Sequence, residues 1–220
     1  MKNIVIIGAS ITHGVGGSQG WADMVKRAVH QKLYAPEGPG EICEVYELGI
    51  PGQTAKDILE RFEAEVRLRI GGRQANENCI VLSVGANDAK AIGEPENYTT
   101  TSGEYAEHIQ ALLGLAKKYA TTVFGLGLTP VDKVKTNPKH NPLNGSKSYF
   151  DNDRLSQFET VFQEECQKQA VEFIPLHAHV PKDWAQKFII ADGLHPNQAG
   201  HEWIFEQLWP HIAPFTEAES

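Results

Sequence analysis

The chain has 220 residues, 41% of them hydrophobic, and 20 Lys and Arg against 28 Asp and Glu give a formal net charge of -8. That length and composition suit a single compact domain spanning 1–220 with a substantial core, and no linker is visible that would divide it. The acidic balance repels a polyanion and argues against nucleic acid as a partner. The opening "MKNIVIIGAS" holds an apolar run too short for a signal-peptide core or a membrane span, so a soluble, cytoplasmic protein without membrane insertion is expected. Cys43, Cys79 and Cys166 are widely separated and read as reduced, buried thiols.

In chain order, short β-branched runs alternate with longer amphipathic stretches. Strands are predicted at 3–8, 43–49, 79–85, 121–128 and 171–176, and helices near 21–33, 55–69, 103–119, 152–169 and 198–209. Ile58, Leu59, Phe62 and Val66 illustrate the helical spacing. Five βα units with right-handed crossovers make a doubly wound parallel sheet of flavodoxin-like type covered on both faces, an α/β architecture in three layers, α/β/α. On such a sheet ligands bind beyond the carboxyl ends of the strands. The connection at about 130–150 carries prolines and no periodicity, so a lid, a binding loop and a disordered segment are the alternatives for it. Its lysines, with His140, hint at an anionic or polar leaving group, against plain solvated charge. The ending "APFTEAES" reads as a frayed tail.

The residues of chemical interest fall just after the predicted strands. "GASITHGVGG" follows the first, and its Ser10 is a nucleophile, a cap, or part of a phosphate loop. The absence of a lysine and the placement of the glycines after the serine disfavour the phosphate loop. "DGLHPN" precedes the final helix. There a tight turn through Gly193 can fold Asp192 onto the ring of His195, with Pro196 suited to the first position of the helix that follows. An aspartate accepting the Nδ1 proton leaves Nε2 free to take a proton from a hydroxyl. "GIPGQT" and "GAND" supply oxyanion donors: Gly52 offers an unobstructed backbone N–H, Asn87 a side-chain amide, and the Ser10 amide is the third. The competing readings are a turn glycine for Gly52 and loop capping for Asn87 with Asp88.

Other features are weighed on the same terms. His177 and His179 alternate on an extended segment and could face one metal, but no carboxylate or cysteine completes a set in the sequence nearby. His13 either lines the pocket or faces solvent. Trp184 and Phe188 are core packing or the wall of an acyl pocket, and Trp203, Phe205, Leu208 and Trp209 are core.

"GASIT", "GIPGQT", "GAND" and "DGLHPN" stand in the order and rough spacing of the four sequence blocks of the GDSL/SGNH hydrolase superfamily, which the chain resembles over essentially its whole length. The resemblance implies the SGNH hydrolase fold and a serine esterase, thioesterase or carbohydrate-ester hydrolase working through an acyl-serine intermediate, with a short-chain or acetyl ester of a lipid, thiol or carbohydrate as the small-molecule substrate and neither metal nor cofactor. It places Ser10, Asp192 and His195 in the catalytic set and Ser10, Gly52 and Asn87 in the oxyanion hole. Two positions depart from the pattern: Ala9 stands where an acidic residue usually precedes the nucleophile, and Glu47 where the second block often has Asn. Against this reading stand a non-catalytic flavodoxin-like nucleotide- or flavin-binding module and an inactive, acyl-ester-binding pseudoenzyme.

Overall fold

The computed structural model describes residues 1–35, 42–70, 77–141 and 144–217. Five parallel strands, β1 (Lys2–Gly8), β2 (Cys43–Gly49), β3 (Glu77–Ser83), β5 (Thr122–Leu126) and β8 (Glu172–Ile174), form one sheet in the order β2-β1-β3-β5-β8. β1 lies inside the sheet between β2 and β3 and is buried along its whole length. Its alternation sorts side chains between two cores. Val5 and Ile7 face the helices α2 (Ala55–Ile70), α3 (Ser102–Tyr119) and α5 (Asn152–Lys168), while Ile4 and Ile6 face α1 (Trp21–Leu33) and α7 (Gln198–Ile212). A one-residue slip of β1 would exchange the two sets, so the register is fixed by packing on both faces.

The architecture is therefore the three-layer, doubly wound α/β fold that the spacing of elements predicts, with four of the five helices reproduced to within a residue at each end and the strand ends shifted by tertiary contacts. The fourth and fifth strands end earlier than predicted because a buried carboxylate intervenes. Glu159 of α5 accepts the amide N–H groups of Leu128 at 2.6 Å, of Leu176 at 3.3 Å and of His177 at 3.1 Å. Burial raises the Glu159 carboxyl pKa against the pull of those amides. The last helix runs on through Pro210 to Ile212, because Leu208 and Ile212 are fully buried against the sheet and packing offsets the lost backbone bond. Pro196 is not its first residue; Asn197 caps the helix by accepting the Gly200 N–H at 3.0 Å. Nor is the described part of the chain's end frayed: Ala213–Thr216 form a 3-10 turn, Thr216 is buried, and Lys2 Nζ donates to the Glu217 carbonyl at 2.8 Å. Residues 218–220 of that expectation lie outside the described residues.

The 130–150 connection contains structure that its composition hides. A short helix α4 (Lys133–Thr136), capped by Asp132, leads into β6 (Lys139–His140), which pairs with β7 (Lys147–Tyr149); β7 pairs in turn with β4 (Ala91–Ile92) in an antiparallel ribbon. Thr136 and Phe150 are buried beneath it, and residues 142 and 143 lie outside the described residues. Three of its lysines are paired inside the protein, Lys133 with Asp151, Lys135 with Asp132 and Lys139 with Asp192, which weakens the inference of an anionic leaving group.

Candidate active site

Ser10 lies in the turn that leaves β1, two residues past Gly8, and the glycines that follow it serve docking rather than phosphate binding. Gly16 has φ +101°, and a β-carbon there would overlap the Pro196 carbonyl oxygen beside His195. The same loop is held to α7 by three contacts. His201 Nε2 lies 3.1 Å from the Val15 carbonyl, while Ser18 Oγ donates at 2.7 Å and the Gln19 N–H at 3.1 Å to Gln198 Oε1. This seats the serine against the histidine: Ser10 Oγ is 3.0 Å from His195 Nε2.

The turn through Gly193, at φ +76°, folds Asp192 back as the spacing predicts. Its Oδ1 accepts the Leu194 and His195 N–H groups at 2.9 and 3.0 Å, and its Oδ2 lies 2.6 Å from His195 Nδ1. With Nδ1–H donating to the carboxylate, Nε2 is left as the acceptor facing the serine. Burial alone would raise the Asp192 carboxyl, but hydrogen bonds from the His195 ring, from Lys139 and from two amides outweigh it and hold the group well below the usual carboxylate range.

Asn87 shares a cavity of about 40 Å³ with Ser10, lined also by Gly85, Leu128, Leu176 and Ile204. Its Nδ2 donates to the Gln53 carbonyl at 3.0 Å, which uses one of two amide hydrogens, and its Oδ1 accepts from Lys90 Nζ at 3.3 Å, which sets the orientation of the amide. Gly52 adjoins Gln53 with φ +87° and lines a neighbouring cleft with Thr54 and Lys90. Among the described residues nothing accepts from the backbone N–H of Ser10 or of Gly52. Ser10, His195 and Asp192 are thus brought together directly, and Gly52 and Asn87 are tied to each other through Gln53.

Both departures from the family pattern leave this chain of contacts in place. The Ala9 carbonyl accepts the His13 N–H at 2.9 Å, closing the turn without an acidic side chain. Glu47 interacts with Asp23 and Lys26 of α1, and burial followed by its hydrogen bond with Asp23 pushes its carboxyl up to about 7.

Three supporting residues escaped sequence reasoning. Arg61 on α2 donates from Nε to Gln53 Oε1 at 2.6 Å and from Nη2 to the carbonyls of Leu48 at 2.8 Å and Gly8 at 3.2 Å, clamping the exits of β1 and β2. Asp88, read as a capping residue, is fully buried and accepts the Ala55 N–H. Lys139 reaches Asp192 from the ribbon. Only the local spacing of Asp88 next to Asn87 carried any signal; Arg61 and Lys139 sit on elements whose packing the sequence does not display.

Several candidates fall away. Trp184 stacks on Phe188 at 5.3 Å, meets Trp203 at 5.2 Å and donates to the Pro130 carbonyl, so this group packs in the α1/α7 core and does not line the cavity at Ser10. His13 is exposed. His177 is committed through its backbone N–H to Glu159, and among the described residues no three His, Cys, Asp or Glu side chains are grouped to hold a metal. Likewise, no described helix is long and apolar enough to cross a membrane. Cys43, Cys79 and Cys166 are buried and form no disulfide with one another.

Comparison with known proteins identifies the family and the fold. The model of the GDSL-like lipase/acylhydrolase family matches residues 6–203. Among solved structures, a lipase/acylhydrolase from Enterococcus faecalis superposes with a TM-score of 0.74 at 22% identity over 100% of both chains. TesA gives 0.68 at 19% identity over 96% of this chain and 98% of its own. An acetylxylan esterase from Geobacillus stearothermophilus gives 0.66 at 16% identity over 99% and 97%. These likenesses show a shared fold. A search of curated protein sequences gave no match.

Proposed function

The chain belongs to the GDSL-like lipase/acylhydrolase family, and from that premise we propose that it is a serine carboxylic-ester hydrolase acting on short acyl esters through an acyl-serine intermediate. The observation that carries this reading is the relay from Ser10 Oγ to His195 Nε2 at 3.0 Å and from His195 Nδ1 to Asp192 Oδ2 at 2.6 Å, assembled from chain positions 185 residues apart.

In the proposed reaction His195 Nε2 takes the Ser10 proton as Oγ attacks the ester carbonyl carbon. The charge that develops on the former carbonyl oxygen is met by the amides of Ser10 and Gly52 and by the second Asn87 Nδ2 hydrogen, donors whose positions are set before substrate arrives. Asp192 stabilises the imidazolium. Collapse breaks the bond to the alcohol, which leaves with the proton from His195; water, deprotonated by the same ring, then attacks the acyl-serine and releases the acid. None of these steps calls for a metal or a cofactor. The cavity of about 40 Å³ beside Ser10, walled by Leu128, Leu176 and Ile204, accommodates an acetyl-sized group and supports a short acyl chain. That the structural neighbours include an acetylxylan esterase is consistent with acetyl esters of carbohydrates as one substrate class. Binding of a nucleotide or flavin phosphate at the first loop is disfavoured, because its serine is engaged by a histidine and its Gly16 packs on Pro196.

The test is hydrolysis of p-nitrophenyl acetate together with labelling by a fluorophosphonate. Ser10→Ala and His195→Ala are expected to lose activity by several orders of magnitude, roughly 10³-fold or more, and Ser10→Ala to lose the label. Equal turnover by wild type and Ser10→Ala overturns the assignment; labelling of wild type without turnover identifies an acyl-ester-binding pseudoenzyme instead.

A further inference from the structure

The ammonium of Lys139 lies 2.9 Å from Asp192 Oδ2, the oxygen that is also 2.6 Å from His195 Nδ1, and 3.2 Å from the Asp192 carbonyl. One carboxylate oxygen therefore serves two nitrogen donors, which cannot be farther apart than about 5.5 Å, the two distances laid end to end. The three side chains are shielded, with 22% exposure for Lys139, 27% for Asp192 and 13% for His195, so solvent screens this arrangement less than it would a surface pair. Lys139 comes from β6, held in register by Lys139↔Ser148 pairing with β7; the 130–150 connection reaches the Asp192–His195 turn through its side chain and, at the backbone, through the Asp132 N–H donated to the Gly193 carbonyl at 2.8 Å.

We propose that Lys139 is a positioning residue of the triad, fixing the Asp192 carboxylate against His195 and tempering how strongly that carboxylate favours the protonated ring. The proposal rests on the reading of Ser10, His195 and Asp192 as a catalytic relay. Its physical basis is competition. When His195 accepts the serine proton, its positive charge develops within a few ångströms of a second cation that shares the same counter-charge. An ammonium there costs some stabilisation of the imidazolium, so removing it strengthens the hold of Asp192 on the protonated ring. The remaining charged groups around the pair do not duplicate this. Lys135 on α4 lies beside the same cleft but is paired with Asp132 at 3.0 Å, and His140 follows in the ribbon. His201 on α7 is turned to the Val15 carbonyl with its pKa lowered by burial, and His13 on the first loop is exposed.

The experiment compares wild type with Lys139→Met and Lys139→Arg in the pH dependence of kcat/KM on p-nitrophenyl acetate, a neutral ester that has no charge for Lys139 to bind. Lys139→Met removes the competing cation while keeping the aliphatic stem. The acidic limb is expected to move to higher pH by about 0.5–1 unit, with KM unchanged and the plateau within roughly tenfold of wild type. Lys139→Arg is expected to return the limb to its wild-type place. In parallel, the ring titration of His195, followed by NMR on histidine-labelled protein and assigned with His195→Gln, is expected to move in the same direction. The NMR arm needs no turnover. A wild type that hydrolyses no ester but shows the NMR shift in Lys139→Met thus refutes the proposed function and leaves the role of Lys139 standing. Coincident limbs and coincident NMR titrations in folded wild type and Lys139→Met overturn it.

Discussion

Both carboxylate oxygens of Asp88 lie 3.0 Å from the amide nitrogen of Ala55, so the residue after Asn87 is lashed to the first turn of α2, three positions past Gly52. Two loops that would each supply an oxyanion donor are joined by a fully buried group. Burial raises its carboxyl to about 7, with the Ala55 N–H pulling the other way.

The folded protein accordingly holds the Asp88 proton to higher pH than the unfolded chain, where the ordinary value is 3.8. Its contribution to stability is complete below that value and is lost as the pH rises through about 7. In Asp88→Asn this dependence disappears. Urea unfolding of the variant between pH 5 and pH 7 should show a slope shallower by up to about 1.4 kcal/mol per pH unit, the equivalent of one proton. A slope matching wild type would place the raised value elsewhere.

Lys90 holds Asn87 Oδ1 while Gln53 holds one Nδ2 hydrogen, which leaves the second hydrogen in a set direction. Asn87→Ala is expected to lower kcat by roughly 10²–10³, the usual loss for a missing oxyanion donor, with little change in KM. Lys90→Met should give a smaller fall in kcat, about tenfold, because the donor remains and only its orientation loosens. Steady-state kinetics on p-nitrophenyl acetate separates the two; a change in KM alone for Asn87→Ala would mean that it binds substrate and transition state equally and is not an oxyanion donor.

Arg61 binds three acceptors with one planar guanidinium, the Gln53 side chain and the carbonyls of Leu48 and Gly8. Arg61→Met leaves both carbonyls without this donor and should destabilise the protein by about 2–4 kcal/mol in urea unfolding. Arg61→Lys should recover less than half of that, since an ammonium cannot reproduce the fork. Full rescue by lysine would show that charge, not geometry, is what the position supplies.

Leu128 is buried and forms part of the wall beside Ser10. If that wall limits the acyl group, wild type should favour acetyl over octanoyl p-nitrophenyl esters by about 100-fold or more in kcat/KM, and Leu128→Ala should raise the butyryl-to-acetyl ratio by roughly tenfold, the worth of one or two methylenes in a pocket. An unchanged ratio in the variant would move the acyl site elsewhere.

Much of this molecule is legible in one dimension because its determinants are local or periodic. The unbroken apolar, β-branched run from Ile4 to Ile7 and the helical spacing of Ile58, Phe62 and Val66 announce strand and helix wherever the chain lies, and alternation of the two implies the doubly wound sheet. The Asp192–His195 turn is equally local, three residues closing on themselves through Gly193. What the sequence could not display were contacts between elements that only folding brings near. Glu159 trims two strands from a neighbouring helix, Gly16 packs against Pro196 across most of the chain, Arg61 clamps two strand ends, and Lys139 arrives on a ribbon whose two-residue strands are too short to carry a period. Sequence by itself determined which segments are strands and helices and which residues stand at the strand exits, since those follow from repeat distance and hydrophobicity. Only the tertiary structure decided which of those exits meet and which charge sits beside the acid, because long-range partners are chosen by packing geometry, for which no single stretch of chain holds the information.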